Sequence, residues 1–144
     1  MTRLAKALIV VSLVISFTAT LAAAQNVQTL VNQGMQNSQN GRYDQALKDF
    51  NDALKLKPND ATLITYRGVV YYAKGQNDLA MKDFNRAIEI DPKAGKAYYQ
   101  RGMIYENQQK YALAAPELKK AKSLGYNVDP IFIESVERKA AQMK

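Results

Sequence analysis

The sequence predicts an all-α fold of three helix-turn-helix repeats closed by one further helix, and three observations carry that prediction. Small residues recur every 34 positions: Gly34, Gly68 and Gly102; Ala46, Ala80 and Ala114; Ala53, Ala87 and Ala121. Bulky and terminal positions keep the same step, as in Phe50, Phe84 and Leu118, in Tyr43, Asn77 and Tyr111, and in Pro58 and Pro92. Within each unit, apolar residues are three and four apart, as in Ala80, Phe84, Ala87 and Ile88. That is the period of one helix face. A fixed period of this length marks a repeat architecture, in which each unit buries its apolar face only by stacking on a neighbour.

Taken in order, the chain opens on residues 1–24, which read as a secretory signal. Arg3 and Lys6 form a positive start, Ala7 to Phe17 an apolar run, and Ala22, Ala23 and Ala24 a small-residue cleavage site before Gln25. Retention as a membrane anchor is the alternative, weakened by Ser12, Ser16, Thr18 and Thr20 inside the run. The expected location is periplasmic or secreted, with no membrane span once the signal is removed. Residues 25–144 then form one domain, with repeats at 27–60, 61–94 and 95–128 and a capping helix at 129–143. Seven helices are expected, over 27–39, 43–56, 60–74, 77–90, 94–108, 111–124 and 130–142. Gly41, Gly75 and the polar stretch from Glu106 to Lys110 break each unit in two. Pro58 and Pro92 stop the second helices, because proline lacks an N–H and its ring clashes with the preceding turn. Gly125 suits the left-handed conformation that ends a sixth helix. Asp129 can cap the last helix, with Pro130 in its first turn. Ile133, Val136 and Ala140 give that helix one apolar stripe, and Glu134, Glu137 and Arg138 a polar outer side, as a terminal cap requires. Pro116 falls inside the sixth helix, and the expectation is a kink or a late start that loosens the third unit.

The best-matched units read "TYRGVVYYAKGQNDLAMKDFNRAIEIDP" and "AYYQRGMIYENQQKYALAAPELKKA". Their 34-residue period and small-residue pattern resemble the tetratricopeptide repeat, in particular exported bacterial members of that family. The resemblance implies a solenoid whose concave face, lined by the first helix of each unit, holds a peptide or helix of another protein. Carried onto this sequence, the candidate partner-binding residues are Val31, Met35, Thr65, Val69, Tyr72, Lys96, Tyr99, Met103 and Asn107. Val69 and Met103 could equally be packed between helices. One branch of the family grips a C-terminal carboxylate; those places fall at Val31, Met35, Tyr66, Lys96 and Gln100, where only Lys96 keeps the charge. An internal segment or an amphipathic helix is therefore the expected ligand.

Composition narrows the chemistry. The chain has no His, Cys or Trp, which removes imidazole bases, thiolate nucleophiles and the nitrogen and sulfur ligands of transition metals. No catalytic residue, metal or cofactor is expected. Lipid anchoring through an N-terminal cysteine is excluded. The net charge of +7 falls to +5 once Arg3 and Lys6 leave. Most of the excess sits in the third unit, with six basic and two acidic residues. Lys119, Lys120 and Lys122 could meet an anionic partner or be a solvated helix end, where cations suit the dipole; an exported protein has no call for nucleic acid. Arg67 and Arg101 stand 16 residues before Asp83 and Glu117, a spacing that predicts ion pairs between the helices of a unit, with ligand binding the alternative. The leading function is a protein-protein interaction module, an adaptor or assembly factor of the bacterial envelope. A self-associating structural scaffold, and hence a homo-oligomer, is the alternative.

Overall fold

The computed structural model describes residues 25–143; the expected signal, residues 1–24, lies outside the described residues. Seven helices fill that span: α1 (25–39), α2 (Tyr43–Leu56), α3 (Ala61–Ala73), α4 (Asn77–Ile90), α5 (Gly95–Asn107), α6 (Tyr111–Ser123) and α7 (Pro130–Gln142). The described residues contain no strand. Helices α1 to α6 form three antiparallel pairs, and α7 lies on α6 at the C-terminal end.

The repeating small residues make this stacking possible. Ala46, Ala53, Ala80, Ala87, Ala114 and Ala121 are all fully buried. Each glycine of the 34-residue ladder meets the large residue of its partner helix. A methyl group on Gly68 would stand 2.7 Å from the Phe84 ring, and one on Gly34 or Gly102 would stand 3.0 Å from Phe50 or Leu118. The close approach is thus filled by a ring or a branched chain, which is why the glycines and the bulky residues keep one period.

The turns repeat as well. Gly41, Gly75 and Gly125 adopt left-handed conformations with φ of 72°, 74° and 83°. In the third unit the matching residue is Gln109, at φ 59°, where a side chain other than glycine's is disfavoured. Asp60 caps α3 by accepting from the N–H groups of Thr62 and Leu63, and Asp129 caps α7 by accepting from Ile131. Pro116 does not delay α6, which starts at Tyr111 and runs through the proline to Ser123. Ala114, Leu118 and Ala121 remain fully buried, so the third unit packs as closely as the others. Pro116 and Ala112 are both on the exposed side, so the missing N–H falls on the solvent face of the helix and not in the core.

A polar ladder joins the units. Arg67 donates through Nε and Nη2 to both oxygens of Asp83 at 2.8 and 2.7 Å, and through Nη1 to Asn51 of the preceding unit at 2.8 Å. Arg101 repeats the pattern on Glu117 and Asn85. The expected ion pairs are therefore present, each with an asparagine as a further partner. Fork-shaped guanidinium groups suit such three-point contacts. In the first unit Gln33 replaces the arginine, and Asp49 accepts instead from Asn37 and Gln45.

Candidate functional site

The first helices α1, α3 and α5 lie side by side and line one face. At its N-terminal half a cleft of about 140 Å³ is bordered by Met35, Ser38 and Gln39 of α1, Tyr66 and Val69 of α3, and Lys96 of α5. A second hollow, about 290 Å³, adjoins it between the starts of α3 and α5, bordered by Thr62, Tyr66, Asp91, Lys93 and Lys96. Lys96 stands at the junction. Its ammonium lies 4.6 Å from the centre of the Tyr66 ring, a favourable cation–π placement, and it makes no ion pair among the described residues. Burial holds it below the usual lysine range, because the ammonium loses water without gaining a carboxylate.

The C-terminal half of the same face is tied to itself. Asn107 donates through Nδ2 to the Tyr72 hydroxyl. Lys139 of α7 donates to Glu106 of α5 at 2.9 Å and lies 5.0 Å from the centre of the Tyr111 ring. Tyr99 packs on Tyr126 with ring centres 4.9 Å apart. Burial, helped by Glu106 and Tyr99, pushes the Tyr72 phenol above its usual range. The Tyr126 phenol is raised by burial and then by Tyr99.

Of the nine candidate residues, the structure brings Met35, Val69 and Lys96 to one cleft. Val31 is half-buried against the core beneath α1. Thr65 borders the second hollow beside Tyr66 and Lys96, though it is largely buried and its hydroxyl donates to the Ala61 carbonyl of its own helix at 2.7 Å. Tyr72, Tyr99 and Asn107 belong to the tied half, and Met103 is half-buried on α5. Tyr66, which the sequence places at one of the carboxylate-gripping positions, and Tyr126 complete the two halves. Tyr126 takes the place of the repeating Pro58 and Pro92 in the 34-residue step, which marks the position as an exception without showing that its ring returns to Tyr99. Among the described residues no cluster of His, Cys, Asp and Glu could hold a metal ion, and no helix is long and apolar enough to cross a membrane.

Comparisons with known proteins agree with this geometry. A model described as TPR repeat matches residues 38–75 and 68–109, and one described as tetratricopeptide repeat matches 95–124. No curated protein sequence matches. Similar solved structures include the first TPR of Spaghetti (RPAP3) bound to the HSP90 peptide SRMEEVD, 23% identical over 81% of this chain and 94% of that one, with a TM-score of 0.73. The Sgt2 TPR domain from Aspergillus fumigatus is 22% identical over 81% and 78%, with a TM-score of 0.69. The TPR2B domain of yeast Sti1, in a pHsp70 complex, is 22% identical over 83% and 99%, with a TM-score of 0.70. At these identities the likeness is one of fold. Since the TPR repeat model alone covers half of the chain and the helix pairs follow its period, the protein belongs to the tetratricopeptide repeat family.

Proposed function

We propose that this protein is an interaction module of the bacterial envelope, an adaptor or assembly factor, which receives a partner segment on the N-terminal half of its concave face. The observation that carries the reading is Lys96, a half-buried ammonium with no carboxylate partner, set between two hollows beside Tyr66, Val69 and Met35. A segment that seats apolar side chains in the cleft and one acidic side chain on Lys96 would return the electrostatic energy that burial removes. Two structural neighbours are peptide complexes by name, one with the acidic sequence SRMEEVD, which supports the use of this face. A carboxylate terminus would find one half-buried cation here, Lys96, with Lys93 exposed at the rim of the adjoining hollow beside Asp91, so an internal segment fits better. A micromolar affinity, about 8 kcal/mol, is the scale expected of such a contact.

The test is binding of fluorescent peptides that pair two apolar residues with either Glu or Gln. The Glu peptide should bind more tightly to the parent, and Lys96→Gln should erase the difference. Equal affinities for the parent would sink the reading. Sedimentation of the protein alone separates it from the scaffold alternative, which demands association with rising concentration. The envelope location is tested by expression in a Gram-negative host. A periplasmic product beginning at Gln25 supports export, whereas an intact mass retaining Met1 in the membrane fraction speaks against it.

A further inference from the structure

The outer face of α6 combines an apolar edge with an excess of positive charge. Leu113 is 51% exposed and Met143, just past α7, is 66% exposed. With Ala112, Tyr111 and Ala140 they border a shallow apolar hollow of about 290 Å³. Lys110 sits at the rim of this hollow. Lys120 lies seven residues beyond Leu113, two turns along the same side of α6. Neither lysine pairs with a carboxylate among the described residues. The one acidic residue of α6, Glu117, is held by Arg101. The matching face one unit earlier has the same exposed leucine, Leu79, and a Lys82 unpaired among the described residues, but there Asp78 is exposed and Arg86 is paired with Glu89 at 3.2 Å, so its charges cancel. The third unit therefore keeps an apolar edge and a net positive face that the second unit does not.

We infer that this face rests on an anionic lipid surface, with Leu113 and Met143 entering the headgroup boundary and Lys110 and Lys120 meeting the phosphates. A soluble polyanion would engage the lysines and gain nothing from the exposed leucine and methionine. A bilayer uses both, because apolar side chains enter its boundary while cations are drawn to its negative potential. No residue that borders this hollow also borders the concave cleft, so the chain can hold a partner segment and a membrane together.

The absence of cysteine from the whole chain allows a local test in the full-length protein. An environment-sensitive dye is placed on Leu113→Cys, or on Leu79→Cys as the matched control, and phosphatidylglycerol-containing or pure phosphatidylcholine vesicles are added. A blue shift is expected at position 113 with anionic vesicles only, and none at position 79. In a Lys110→Gln, Lys120→Gln background with unchanged helical circular dichroism, at least about tenfold more lipid should be needed. Equal shifts at both positions would mean that the apolar N-terminal run alone tethers the chain, and would overturn the inference. So would no shift, an equal shift with neutral vesicles, or a shift that survives loss of the two lysines.

Discussion

Between α1, α3 and the start of α5 the concave face leaves Met35, Tyr66 and Lys96 open, whereas between the ends of α3, α5 and α7 it ties Tyr72, Glu106 and Tyr99 to Asn107, Lys139 and Tyr126. Both halves carry tyrosines and a lysine, so composition does not separate them; the state of pairing does. A polar group already satisfied within the chain gains little by exchanging partners, while one stripped of water and left alone gains a full charge-assisted contact. The tied half thus supports the fold, and the open half is where a ligand has most to offer.

The sharpest way to break this contrast is Tyr126→Ala, which strips the packing from Tyr99. It should cost about 2–3 kcal/mol of stability in urea unfolding and leave peptide affinity near the parent value. The reverse is expected of Lys96→Met, with affinity for the acidic peptide falling about tenfold, or 1.4 kcal/mol, while the melting temperature rises. Next in size is Gln109→Gly, which relieves a left-handed residue at the turn leading into α6 and should stabilise by about 1 kcal/mol. Lys139→Gln should matter less again, since its ion pair with Glu106 is exposed on the lysine side and screened by water. The smallest effect is in pH. Burial depresses the folded-state pKa of Lys96 below its unfolded value, so the charged form costs stability at neutral pH and the cost is relieved as pH rises through the depressed pKa towards the ordinary lysine value. The stability gap between Lys96→Met and the parent should therefore narrow with alkaline pH, and a widening gap would contradict the assignment.

Much of the fold was legible because its packing rule is periodic. Gly68 and Phe84 are each repeated at a step of 34, and the pairs Arg67 with Asp83 and Arg101 with Glu117 follow from the antiparallel hairpin. The asparagines that complete these pairs were not foreseen, since they depend on how closely the preceding unit approaches. The site was legible only in outline. A helical stripe places Thr65 beside Val69, yet Val69 borders the cleft and Thr65 the adjoining hollow, while Tyr66 borders both. The pairing of Tyr99 with Tyr126 depends on where a loop returns. Pro116 shows the opposite case, a local rule outweighed where the proline faces solvent and Ala114, Leu118 and Ala121 still pack fully.

The polar ladder also sets where the molecule yields first. Arg67 fastens three helices at once, α3 to its own α4 and to the preceding α2, so α3 cannot lift without releasing clasps in both directions. With Gln33 in place of an arginine, α1 has no three-helix clasp and is tied to α2 through the Asn37–Asp49 hydrogen bond. In a stack governed by nearest neighbours, that makes α1 the cheapest segment to peel away, and amide exchange should be fastest there and slow towards α3. Because Met35 and Ser38 border the cleft from α1, a bound segment would also act as the missing clasp, and occupancy would register as slower exchange in a helix that most of the ligand never touches.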